Sequence, residues 1–206
     1  MLKIWGRANS INVQKVLWCA DELGLEYQRV DIGGAFGGND QPAYLRLNPN
    51  GRVPTIEDDG FVLWESNSIV RYLAAKHGLG TLCPSGLKAR ANVERWMDWM
   101  TSTLNAPMTT MFWGLIRTPP EKRDLAAIEA ARKVAAEGWA LLDAHLRDWP
   151  FVGGDRLTMG DIPAGCAAYR WFNLPLERPA APHLKSWYER LATRPAYAKN
   201  IMITMT

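Results

Sequence analysis

Two short passages carry side chains able to hold and sharpen an anionic nucleophile. The first is Arg7-Ala8-Asn9-Ser10-Ile11-Asn12, set between an apolar run that ends at Gly6 and a helical repeat that begins at Val13. At a helix start the first N–H groups are unpaired and the dipole is positive, so a hydroxyl or amide placed there joins an environment that favours negative charge. Ser10 or Asn12 can be that donor, or either can simply cap the helix, a role in which Ser and Asn rank alike. The second passage is Glu65-Ser66, at the start of another helical repeat. There Ser66 can bind an anion with its hydroxyl and backbone N–H, or cap the helix beside a first-turn acid.

Other chemistries fit less well. The three cysteines, Cys19, Cys83 and Cys166, are far apart, with no C-x-x-C pair and no metal-ligand spacing to the three histidines. A reducing, cytoplasmic setting is expected, and no metal. Gly33-Gly34-Ala35-Phe36-Gly37-Gly38-Asn39-Asp40 lacks the Lys-Ser/Thr of a phosphate-binding loop and reads as a flexible surface loop. The 24 Lys and Arg stand against 21 Asp and Glu and are scattered, which points away from a nucleic-acid partner. No apolar run reaches the roughly 18 residues of a membrane helix, so no membrane association is expected.

The elements that must position these residues follow from periodicity. Leu2 to Gly6 reads as a strand, and Val13, Val16, Leu17, Ala20 and Leu23 as one face of a helix that stops at Gly24. Tyr27 to Ile32 alternates as a second strand. A short helix is expected before Val53 to Glu57 and Phe61 to Trp64, which form a hairpin through Asp58-Asp59-Gly60. Ser66 to His77 completes the unit as a helix that stops at Gly78. This order suits a four-stranded mixed sheet covered by helices.

Glycines and a proline then mark a linker, placed at residues 80–87 between domains of residues 1–79 and 88–206. The second domain reads as all helical. Val93, Trp96, Met97, Met100 and Leu104 form an apolar stripe that Pro107 should kink or interrupt, and Thr118-Pro119-Pro120 ends the segment before the stripe of Leu125, Ile128, Ala135 and Leu142. Two long antiparallel helices are the simplest arrangement. Thr158 and Asp161 have the spacing of a shortened capping box, with Leu157 and Ile162 as its hydrophobic staple.

As a set these passages resemble the cytosolic glutathione S-transferase superfamily, specifically its bacterial, serine-type, theta- or zeta-like members, over essentially the whole chain. The resemblance rests on residues 7–16, on Asn48-Pro49-Asn50-Gly51-Arg52-Val53-Pro54-Thr55 with Trp64-Glu65-Ser66-Asn67-Ser68-Ile69, and on the Thr158 to Asp161 cap. It implies a thioredoxin-like α/β N-terminal domain, an all-α helical-bundle C-terminal domain, and glutathione as co-substrate without a prosthetic group. It also implies a cis Val53-Pro54 bond that presents the Val53 backbone to the cysteinyl unit of glutathione. Arg52, Val53, Pro54, Glu65 and Ser66 would then bind glutathione, with Ser66 on the γ-glutamyl carboxylate and Glu65 on its ammonium.

The same resemblance makes Ser10 the principal donor to the glutathione thiolate, with Asn12 the alternative. A tyrosine-type site is disfavoured because the first tyrosine is Tyr27, and a cysteine-type site because Cys19 lies nearly two turns into the first helix. Met108, Met111, Phe112 and Trp113 are expected to line the pocket of a small hydrophobic electrophile, and Arg117 is either a ligand for an acidic group or a surface residue. The expected function is glutathione transfer to that electrophile by a homodimer, with a detoxifying role. The alternatives are glutathione-dependent disulfide reduction or isomerisation, and a noncatalytic ligand- or protein-binding relative of the fold.

Overall fold

The computed structural model describes residues 1–206. Strand β1 (Leu2–Trp5) buries Leu2 and Ile4 and leaves Lys3 and Trp5 partly open, the two-residue alternation of a strand with one face on the core. Helix α1 (Ile11–Glu22), strand β2 (Tyr27–Val30), helix α2 (Pro42–Leu45), strands β3 (Thr55–Asp58) and β4 (Phe61–Trp64), and helix α3 (Ser66–His77) follow in the expected order. The sheet runs β2-β1-β3-β4, with β1 parallel to β2 and the other pairs antiparallel. This is the thioredoxin-like arrangement, and α1 packs against α3.

Two strands are shorter than their sequence patterns suggest. β2 ends at Val30, two residues early, and β3 starts at Thr55 because Pro54 has no N–H to offer a ladder. The hairpin turn has Asp59 at φ 50° and Gly60 at φ 88°, both left-handed, as a two-residue turn matched to strand twist requires.

Residues 78–86 form no helix or regular strand, yet they are tied down. Leu82 and Cys83 are buried, and the Met159 N–H donates to the Leu82 carbonyl at 2.8 Å. The helical domain opens with α4 (Leu87–Trp99), which runs through a π-helical turn (Met100–Leu104) into α5 (Asn105–Phe112) and a second π-helical turn (Trp113–Arg117). Pro107 does not interrupt this path. It lacks an N–H and crowds the carbonyl four residues back, at Thr103, and the wider π turn loosens the ladder there.

Helix α6 (Leu125–Leu146) packs along α5, and α7 (Asp161–Asn173), α8 (Pro182–Ala192) and α9 (Pro195–Ile201) complete the bundle. The expected cap at the start of α7 forms differently in detail. The Asp161 carboxylate accepts from the Thr158 N–H (2.9 Å) and from the Thr158 hydroxyl (3.1 Å), so that hydroxyl donates and does not cap a helix N–H. Its other oxygen accepts from the Val152 N–H (2.8 Å) and the Trp187 indole (2.9 Å). Burial pushes this carboxyl up, and the four donors oppose that shift. Leu157 and Ile162, the expected staple, are both buried beside it.

One continuous buried cluster extends from the sheet through α1 into α7 and α9. Helix α1 therefore sits between the two halves of the molecule, with its N-terminal end aimed at the cleft described next.

Candidate active site

A cleft of about 590 Å³ opens where the start of α1, the loops at residues 33–39 and 50–53, and the helical domain meet. Ser10 is the N-cap of α1, in extended conformation (φ -85°, ψ 122°), and its hydroxyl makes no capping hydrogen bond. The capping role is thus unused, and the hydroxyl borders the cleft next to the unpaired N–H groups of the first turn.

Asn12 lies two residues along, at the junction with a second recess of about 350 Å³ lined by Lys15, Glu65 and Ser66 among others. Its Oδ1 accepts from Lys15 Nζ (3.0 Å) and from the Ser66 hydroxyl (3.3 Å), which leaves the amide NH₂ unpaired. Asn12 therefore bridges α1 and α3, and both sequence candidates for a thiolate donor lie at the same helix start.

Ser66 begins α3 and is buried, whereas Glu65 is exposed and has φ 72°, in the left-handed region. A glutamate held there is strained by about 1–3 kcal/mol, and such residues cluster at binding sites. The Glu65 carboxylate has no protein partner, so the recess combines a free carboxylate with the N-terminal N–H groups of a helix. One can receive an ammonium and the other a carboxylate.

Asn12 and Asn105 line both recesses, and backbone at Val53 forms part of the larger one. The Val53-Pro54 bond is cis, and the Val53 N–H and C=O have no backbone partners. Tyr44 OH (2.6 Å) and Asn48 Nδ2 (2.8 Å) brace the preceding Arg52 carbonyl, while the Arg52 side chain is exposed at the rim.

The sequence reading missed several contributors. Gly33, Gly34 and Asn39 line the cleft, so the glycine-rich loop is a wall of the site as well as a surface loop. Lys15 is 5% exposed with Asn12 as its sole hydrogen-bond partner, and burial draws its ammonium below the ordinary range. Arg7 and Arg170 also face the cleft. A cation inside an apolar helical face was the available signal for Lys15 and for Arg170.

Of the four residues expected for the second pocket, Phe112 and Trp113 line the cleft. Met108 and Met111 do not: they are buried in the core of the helical domain. The stripe Leu104, Met108, Met111 faces inward, and the adjoining stripe Asn105, Thr109, Phe112, Trp113 faces the cleft. The lining is mostly polar and cationic, in contrast to the apolar pocket anticipated. Cys19 and Cys166 are wholly buried; burial pushes the Cys19 thiol up and the Cys166 thiol up to about 12. No three His, Cys, Asp or Glu side chains gather as a metal site would require, and no helix is long and apolar enough to cross a membrane.

A thioredoxin-like domain joined to a helical bundle, with hydrogen-bond donors at one helix start and a strained glutamate at another, frames a pair of recesses, the larger of them at the junction of the two domains. Residues 1–75 match the N-terminal domain of glutathione S-transferase, and residues 126–190 match its C-terminal domain. Glutathione S-transferase GstB of Escherichia coli K12 is 44% identical over 208 residues, with all of both chains covered. The theta class glutathione S-transferase of Xanthomonas axonopodis pv. citri, solved with glutathione bound, has 52% identity and a TM-score of 0.96, covering 100% of this chain and 99% of that one. The disulfide-bond oxidoreductase YfcG of E. coli K12 is 27% identical over 198 residues, covering 93% and 90% of the two chains. The chain belongs to the glutathione S-transferase family, and it is a glutathione transferase.

Proposed function

We propose that the Ser10 hydroxyl holds the glutathione sulfur as a thiolate, with Asn12 beside it, and that the thiolate attacks an electrophile seated against Phe112 and Trp113. The observation that carries this reading is the unbonded Ser10 hydroxyl at a helix start, facing a cleft continuous with the Glu65-Ser66 recess. A free thiol with pKa about 8.5 is only a few per cent ionised at neutral pH. Lowering that value by two units takes about 2.7 kcal/mol. A hydrogen bond to a charged acceptor contributes about 1.5–3 kcal/mol and the helix end about 0.3–1. One hydroxyl at that position nearly suffices.

The γ-glutamyl end fits the second recess: its ammonium pairs with Glu65, and its carboxylate takes the Ser66 hydroxyl and N–H. The cysteinyl unit pairs with the Val53 backbone in strand fashion, and Arg52 lies at the rim near Pro54. Three buried free cysteines suit a reducing cytoplasm. A homodimer that uses the exposed Phe61 and Trp64 of edge strand β4 completes the reading, and sedimentation equilibrium tests it.

Glutathione affinity and ultraviolet thiolate absorbance across pH test the site. The bound thiol in the wild type should titrate about two units below 8.5, and Ser10→Ala should raise that value by about one to two units. A rise in Asn12→Ala alone makes Asn12 the donor, and no binding at millimolar glutathione sinks the reading. Glu65→Ala should weaken glutathione binding by about tenfold or more, because the ligand ammonium loses the one unpaired carboxylate of the recess, Asp98 being taken by Arg71. Calorimetric affinity within threefold of wild type would remove Glu65 from the site.

A further inference from the structure

Four arginines, Arg7, Arg52, Arg117 and Arg170, line the larger cleft, and no Asp or Glu does. Arg52 is exposed at the rim, but the other three converge around Phe112 and the start of α1. The Arg170 guanidinium carbon lies 3.7 Å above the Phe112 ring centre; that of Arg117 lies 5.2 Å from the same ring and 4.7 Å from the Trp113 ring. Arg7 runs along Gly34, where any Cβ would meet its Nε at 2.7 Å. The three are close enough to repel one another. Burial lowers the pKa of Arg7 and Arg117 adds to the shift; burial likewise brings Arg170 down to about 10, with Arg117 and Arg7 pushing in the same direction.

Their partners are fewer than such a gathering requires. Arg170 is 9% exposed, yet its guanidinium has no protein hydrogen bond or ion pair, and neither has that of Arg7. Arg117 donates to a main-chain oxygen of the last residue, Thr206, at 3.0 Å and pairs with no Asp or Glu side chain, so Arg7 and Arg170 are the two without any protein partner. A buried charge without a counter-ion is costly, and a protein keeps one where a ligand supplies the opposite charge. Arginine's planar fork suits a carboxylate or similar oxyanion, and the aromatic faces beside it suit a flat apolar body.

We infer that the electrophile carries an anionic group, a carboxylate or a comparably small oxyanion, that pairs with Arg170, Arg117 and Arg7 while its reactive carbon faces the sulfur at Ser10. This rests on the proposed thiolate site and deepens it by naming the second-substrate class. In the reaction the sulfur lone pair forms the new C–S bond and the leaving group departs with its bonding pair. The oxyanion stays charged and bound throughout, so the arginines position the substrate and take no part in the bond changes.

A matched pair of aryl chlorides tests this: 4-chloro-3-nitrobenzoate and its neutral amide, 4-chloro-3-nitrobenzamide. In each, the thiolate displaces chloride. Ratios of kcat/KM, each corrected for the intrinsic reaction with free glutathione thiolate, should favour the benzoate by about tenfold or more in the wild type. Arg117→Gln and Arg7→Gln should bring the ratio toward parity, and Arg170→Lys, which keeps the charge, should retain more of the preference than Arg170→Gln. High salt should reduce the preference. Parity in the wild type, or a preference unchanged in all the glutamine variants, overturns the inference. So does a loss of glutathione affinity as large as the loss of benzoate rate, because the arginines would then serve glutathione's own carboxylates. If neither chloride turns over, equal affinities for the two aryl-glutathione products overturn it as well. Failure of the thiolate reading shows separately, as absent thiolate absorbance.

Discussion

Asp161→Ala is expected to destabilise the protein by about 3–5 kcal/mol, the range for removing one partner from a buried, fully hydrogen-bonded charge. The carboxylate is wholly buried and accepts four hydrogen bonds, from the Thr158 N–H and hydroxyl, the Val152 N–H and the Trp187 indole. Truncation leaves all four donors without an acceptor in a dry site. Those donors come from the turn before α7, the preceding loop and α8, so the loss loosens the packing of three segments together. Asp161→Asn should also destabilise. Its amide oxygen replaces one carboxylate oxygen, but its NH₂ then faces donors. For a chain of this size the alanine change corresponds to a fall in melting temperature of roughly 10 °C. A melting temperature within 2 °C or so of wild type, by circular dichroism, would show that the network adds little.

Trp18→Ala should cost a similar amount, about 3–5 kcal/mol, through the large cavity left in a packed core. Trp18 is fully buried on α1, and residues of the helical domain pack against it. Its ring meets Tyr197 edge-on at 4.8 Å, and it lies so close to α7 that a Cβ at Gly165 would sit 2.8 Å from it. Its indole donates to Glu22 (2.9 Å), which Arg194 holds with two bonds of 2.7 and 2.6 Å. One side chain thus couples the sheet domain to α7 and to the turn before α9. The effect should reach function, because α1 also presents Ser10 and Asn12: glutathione affinity should fall along with the urea midpoint. A variant with a lowered midpoint and full glutathione affinity would show that the start of α1 is positioned independently of this contact.

Much of the molecule is legible residue by residue because its physics is short-ranged. The Asp59-Gly60 turn, the start of α3 at Ser66, the stop at Gly78 and the sharp start of α7 each depend on a few adjacent residues whose backbone preferences are strong. Alternating and helical periodicity then places the strands and helices in order. Placing Ser10, Asn12, Glu65 and Ser66 around connected recesses also needed only their positions at helix starts, since those ends are where unpaired N–H groups occur.

What chain-local reasoning left open depended on how helices turn against one another. Met108 and Phe112 are four residues apart on α5, and periodicity alone does not say which stripe faces α6 and which the cleft. Packing decides it, burying Met108 and Met111 and turning Asn105, Thr109 and Trp113 to the site. Arg7 and Arg170 are far apart along the chain and read singly as ordinary charges, while Arg117 reads as either a ligand for an acidic group or a surface residue. By itself the sequence determined the fold and the helix starts that carry Ser10, Asn12, Glu65 and Ser66, because each of those signals lies in a short contiguous peptide. The cationic character of the larger cleft exists only where α5, α7 and the start of α1 converge, because an electrostatic site is set by distances in space and not by separation along the chain.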